Sequence, residues 1–204
     1  MKKIIAILII AMLVIPSALA EINFDISVFE EAGLYDIEFD DMDDTGMITL
    51  KEGGIYWGLP SDEDASEGFL LGTLCLALVE GQPPAIGFTM LYSGEDWIFT
   101  DKVILKPGDT RYTFEVDADT EVSDGTIQES FLVVITDESF SLIEDIIESG
   151  GTNVRCRLSG DRNVDLEITF DKDVLATMCE HYKASGALNN DFSILKQIFP
   201  CAIK

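Results

Sequence analysis

The chain has one histidine, His181, and only 13 basic side chains against 38 acidic ones in 204 residues. Each scarcity removes a class of function. Nucleic acid and anionic lipid surfaces are bound by clustered Lys and Arg that displace counterions, so a formal charge of −25 argues against both partners. A histidine-centred triad would have to use His181. Its neighbour Cys179 is two residues away, about 200° around a helix axis, so the two cannot hold one ligand together. No CxxC pair, glycine-rich phosphate loop, GxSxG elbow or HExxH motif occurs, and with them go zinc-knuckle, thioredoxin-like, P-loop, serine-hydrolase and zincin chemistry. The 16 Gly and 6 Pro show no period, which excludes a collagen-like chain, and 47% hydrophobic residues are too many for disorder.

What is present begins with an address. Met1-Lys2-Lys3 is a cationic head, Ile4 to Ile15 an unbroken apolar run, and Ala18-Leu19-Ala20 a small-residue cleavage pattern. Residues 1–20 read as a secretory signal peptide cut after Ala20. The apolar run is too short to cross a hydrocarbon core of roughly 30 Å, which takes ~20 residues. Residues 21–204 are therefore expected to form one exported domain with no membrane span after cleavage. Its acidity is uneven: Glu21 to Glu67 holds 15 acids and one base, Lys51. A solvated surface, divalent cation binding and adaptation to high salt each explain such an excess, and the solvated surface is the simplest.

Alternation and turn signals predict mostly strands. Asp36 to Phe39 and Met47 to Leu50 form a hairpin, while Phe69 to Val79 and Ile86 to Tyr92 are apolar enough to be buried on both faces. Trp97-Ile98-Phe99 and Lys102 to Leu105 follow, then Pro107-Gly108 at the centre of a type II turn and a half-buried strand from Arg111 to Val116. Phe131 to Ile135 is apolar and β-branched. Leu142, Ile143, Ile146 and Ile147 then recur at helical spacing, with Ser141 and Glu144 placed for a capping box and Gly150-Gly151 as the stop. Val154 to Leu158 and Val164 to Phe170 alternate around a turn, a hairpin that sets Asp165 and Glu167 across from Arg155 and Arg157. Val174, Leu175, Met178, Cys179 and Tyr182 make a helical stripe after Asp171 as N-cap, with Gly186 as the stop, and Phe192, Leu195, Ile198 and Phe199 permit a last helix in the tail 171–204. Eight or nine strands with two or three short helices, the last ones C-terminal, read as a mainly β protein, an antiparallel β-sandwich.

The succession Trp97-Ile98-Phe99-Thr100-Asp101-Lys102-Val103-Ile104-Leu105, Tyr112-Thr113-Phe114 and Arg157-Leu158-Ser159-Gly160-Asp161-Arg162, followed by an alternating strand and a closing helix, resembles uncharacterised secreted bacterial β-domain proteins. The resemblance covers the carboxy-terminal half. It implies a sandwich and a bacterial exported setting, and carries no activity.

Three sites are candidates. Asp41, Asp43, Thr45, Gly46 and Glu52 match much of a calcium-loop spacing, and calcium is the one cofactor that the sequence suggests. Thr45 stands where Asp or Asn is usual, and strands rather than helices flank the loop. Tyr56 and Trp57, adjacent within Gly53 to Pro60, offer a flat ring to a sugar or a partner peptide; if the segment is a strand, one of the two points outward. Cys179 and Cys201 are spaced to staple the tail, while Cys75 and Cys156 sit in apolar strands, so two disulfides and four buried thiols are both open readings. The leading functional expectation is an exported, non-enzymatic binding module with an unidentified protein or carbohydrate ligand. The alternatives are a secreted carbohydrate-active hydrolase using paired Asp/Glu and a calcium-stabilised structural domain.

Overall fold

A computed structural model describes residues 24–40, 45–52, 55–60, 68–79, 84–123, 125–136 and 139–187. Residues 1–23, with the expected signal segment, lie outside the described residues, as do the last predicted helix and Cys201. Among the described residues are eleven strands and three helices. Helix α1 (Ser27–Ala32) precedes strands β1 (Tyr35–Asp40), β2 (Thr45–Leu50), β3 (Ile55–Pro60), β4 (Phe69–Val79), β5 (Ala85–Gly94), β6 (Lys102–Lys106), β7 (Tyr112–Glu115), β8 (Asp119–Ser123) and β9 (Thr126–Ile135). Helix α2 (Ser141–Glu148), strands β10 (Val154–Ser159) and β11 (Asn163–Thr169), and helix α3 (Lys172–Ala184) complete it.

The protein is mainly β, antiparallel throughout, with two of its three helices towards the C-terminus. All strands belong to one strongly curled sheet, ordered β7-β6-β10-β11-β3-β4-β5-β9-β8, with β2 carrying β1 on a side branch. The branch arises at β4. Its eleven residues exceed what one short neighbour can pair, so β3 takes Leu70 to Thr73 and β2 takes Cys75 to Val79 along one edge, while β5 runs along the other.

The curl encloses the core. On β10 and β11 the pattern is strictly alternating, with Val154, Cys156, Leu158, Val164, Leu166 and Ile168 inward. These two strands pair as predicted, Arg155 opposite Glu167 and Arg157 opposite Asp165. Helices α2 and α3 fill the concave side with Leu142, Ile143, Ile146, Leu175, Met178, Cys179 and Tyr182. Phe140 and Tyr182 stack at 5.7 Å between centroids, and the Tyr182 hydroxyl donates to the Pro84 carbonyl at 3.0 Å, tying α3 to the start of β5.

Helix ends behave unequally. Asp171 is the N-cap of α3 as expected, its Oδ1 accepting from the amides of Asp173 and Val174 at 3.1 and 3.2 Å. The capping box predicted for α2 does not form. Ser141 is already the first helical residue, Phe140 precedes it in helical conformation, and the Ser141 hydroxyl instead accepts from Tyr112 Oη at 3.0 Å. Trp97 to Phe99 is not a strand either. Phe99 adopts φ of 52°, a left-handed conformation that ends any extended run.

Candidate functional site

Strand β3 settles the Tyr56–Trp57 pair by its period of two. Tyr56 points inward and is fully buried, donating to the Thr89 carbonyl at 2.7 Å and meeting Phe170 and Phe88 at 4.8 and 5.9 Å between centroids. Its ring lies over Gly72, where a Cβ would overlap both the ring and the Thr89 carbonyl, so only glycine fits this strand interior. Trp57 points outward and is 51% exposed. Of the two residues singled out from sequence, one is core and one is surface.

Trp57 does not stand alone. Its cross-strand partner is Leu71 on β4, 42% exposed, and one period further along the same face are Leu59 at 57% and Phe69 at 44%. Four large apolar side chains on adjoining strands make a contiguous exposed face, which is rarer in a soluble domain than scattered single residues. The signal lay in the sequence as Trp57-Gly58-Leu59 and Phe69-Leu70-Leu71. Phe69 to Val79, however, looks equally apolar on both faces, and only the pairing reveals which face is bare.

Beyond β3 the same convex face turns polar. Glu167 on β11 pairs with Leu59, and a cleft of about 400 Å³ follows, lined among others by Lys106, Arg155, Arg157, Asp165 and Glu167. Arg157 grips Asp165 through Nε and Nη2 at 2.6 and 2.7 Å. Those hydrogen bonds hold the Asp165 carboxyl below its ordinary value, against a smaller opposing effect of burial. A general acid needs the opposite shift, and no aromatic ring is among the residues lining this cleft. Asp165 thus lacks the environment that the general acid of a glycosidase requires.

The calcium candidate is not assembled by the described residues. Asp41 and Asp43 lie outside them. Thr45 opens β2 and is buried, whereas Glu52 lies two residues past the other end of that strand. Five extended steps from Thr45 to Leu50 cover about 17 Å, and ligands of one calcium ion lie within about 5 Å of each other. Among the described residues no group of three His, Cys, Asp or Glu is placed to hold a metal.

Cys75, Cys156 and Cys179 are buried free thiols, and Cys201, the proposed partner of Cys179, lies outside the described residues. Burial pushes the Cys75 thiol up to about 12, and its Sγ donates to the Gly87 carbonyl at 3.8 Å. Such thiols are inert in the folded state. His181 is half-buried: its Nδ1 meets the Tyr35 hydroxyl at 2.6 Å, and its ring packs edge-on against Phe29 and Tyr35.

Sequence reasoning missed one buried charge entirely. Glu129 on β9 has no exposed surface, and its carboxylate accepts from the amides of Ile98, Phe99 and Thr100 and from the Thr100 hydroxyl, all within 2.6 to 2.9 Å. It fixes the strained turn on which Phe99, half exposed, stacks with Trp97 at 5.5 Å.

No helix among the described residues is long and apolar enough to cross a membrane. No family model, curated protein or solved structure matches this chain.

Proposed function

We propose that the protein is an exported, non-enzymatic binding module that meets its ligand through the outer face of β3 and β4. The observation that carries this reading is the Trp57–Leu71 cross-strand pair with Leu59 and Phe69 beside it. A Trp surrounded by aliphatic side chains on a rigid sheet is the composition of a binding hot spot, where burial of one large ring supplies much of the affinity. Covering the remaining half of these four apolar side chains, at roughly 1 kcal/mol each, contributes to offsetting the entropic cost of association for a partner of modest affinity. Export rests on the leader-like residues 1–20, and the resemblance to secreted bacterial β-domain proteins agrees with it.

The test compares wild type with a Trp57→Ser/Leu71→Ser variant of unchanged circular dichroism. Each is offered to the envelope fraction of the producing cell and to a panel of insoluble polysaccharides. Retention of the wild type with loss in the variant supports the reading. Equal retention of both, or none by either, overturns it.

A further inference from the structure

Basic residues are scarce in this chain, and they are not scattered. About one charged residue in four is basic over the whole sequence. Four of the six charged side chains lining the cleft between β7, β6, β10 and β11 are basic: Lys106, Arg111, Arg155 and Arg157, against Asp165 and Glu167. Arg157 and Asp165 neutralise each other through their two-pronged contact. Lys106 and Arg155 are direct cross-strand partners, an arrangement of like charges that a sheet normally avoids because it costs stability. Among the described residues no carboxylate forms an ion pair with Lys106, Arg111 or Arg155. Arg155 is aimed by one hydrogen bond, from Nη2 to the Gly108 carbonyl at 3.3 Å, which leaves the rest of its fork for a ligand. Glu167, opposite Arg155, offsets one of these three cations, so the cleft keeps an excess of positive charge on a strongly acidic protein.

We propose that this cleft binds a small, doubly charged oxyanion, a dicarboxylate or a phosphate monoester, between Arg155, Arg111 and Lys106. Arginine forks match planar carboxylate and tetrahedral oxyanions with paired hydrogen bonds, and Lys106 adds a point charge beside them. A volume of about 400 Å³ suits a small molecule. A long polyanion is disfavoured, since beyond the cleft it would run over an acidic surface. The site is independent of the β3–β4 face, and either can fail without the other.

The test titrates the full chain with inorganic phosphate and, separately, with succinate, following backbone amide shifts and heat. At least one titration is expected to saturate with a dissociation constant of about 1 mM or tighter, with shifts confined to β6, β10 and the turn before Arg111. Saturation by succinate marks the dicarboxylate class, and saturation by phosphate marks the ester class. Arg155→Gln and Arg111→Gln should each weaken binding by about tenfold or more, while Lys172→Gln, on α3, leaves it unchanged. If Arg155→Gln disturbs the strand, Arg111→Gln decides, because Arg111 lies outside the strands and is exposed. Shifts that stay linear with both anions, or that persist undiminished in Arg111→Gln, overturn the proposal.

Discussion

Glu129 and Thr100 are joined twice: the carboxylate Oε2 accepts from the Thr100 amide at 2.9 Å and from its hydroxyl at 2.8 Å. The other oxygen holds the amides of Ile98 and Phe99. A carboxylate without water contact is tolerated because four donors replace its hydration. The same donors have no other partner in the turn, so carboxylate and loop depend on each other.

Glu129→Ala should therefore lower stability by about 3 kcal/mol or more, since it orphans the buried amides of Ile98 and Thr100 and the partly buried amide of Phe99. Glu129→Gln should cost about 2 kcal/mol, because one oxygen becomes an amide donor facing donors. Urea midpoints measure both. A Glu129→Gln midpoint equal to wild type would show that the charge has no part in holding the turn.

The Tyr56–Gly72 contact predicts a coupled pair. Tyr56→Phe removes only the hydrogen bond to Thr89 and should cost about 1 kcal/mol. Gly72→Ala places a methyl in the ring and should cost more, towards the upper end of the ~1–3 kcal/mol of overpacked cores. Combining Gly72→Ala with Tyr56→Leu should recover part of that loss in a double-mutant cycle. Strict additivity would contradict the contact.

Burial sets the alkaline limit of the fold. Tyr35 rises from 10.0 and Cys75 from 9.0, each to about 12, and Tyr56 and Cys156 also rise, in every case chiefly through burial. Each group binds its proton more tightly folded than unfolded. The stability this confers is complete below the unfolded values and drains away as pH climbs from about 9 towards 12. Urea midpoints should be level from pH 7 to about 8.5 and fall steeply above, with native thiols silent to an alkylating reagent over the level range. An unchanged midpoint at about pH 11 would contradict the burial of these groups.

The Arg157–Asp165 pair is nearly half exposed on both sides, and its value to stability is small. Asp165→Asn should change the melting free energy by no more than about 1 kcal/mol, less at high salt. Because the Asp165 carboxyl is held low, its contribution is present above its ordinary value of 3.8 and disappears as pH falls through its folded value. Denaturation midpoints between neutral and acid pH, for wild type against Asp165→Asn, should converge at the acid end.

Local pattern carried the hairpin of β10 and β11, where strict alternation put Arg155, Arg157, Asp165 and Glu167 on one face, and the strand pairing then sets Arg157 opposite Asp165. It also placed the α3 N-cap, because an Asp before an apolar helical stripe has one physical use. Strand β8, the first half of β9 and helix α1 escaped, since Asp119–Ser123 and Thr126–Ser130 are polar on both faces and Ser27–Ala32 is too short for a period to register. Non-local partners were not legible. Nothing around Glu129 in the sequence announces three amides from residues 98–100. Nor does the spacing of Lys106, Arg111 and Arg155 show that strand pairing gathers them into one cleft. Trp57 was legible as a candidate, but Leu59, Phe69 and Leu71 join it only through the β3–β4 register.

The proposed meeting place of this protein with its ligand is the face around Trp57. A photo-crosslinking residue placed at position 57, and as a control at Glu144 on the exposed side of α2, tests it in the producing cell. Irradiation should give a discrete heavier adduct from position 57 and none from position 144. No adduct from 57, or the same adducts from both positions, would contradict it.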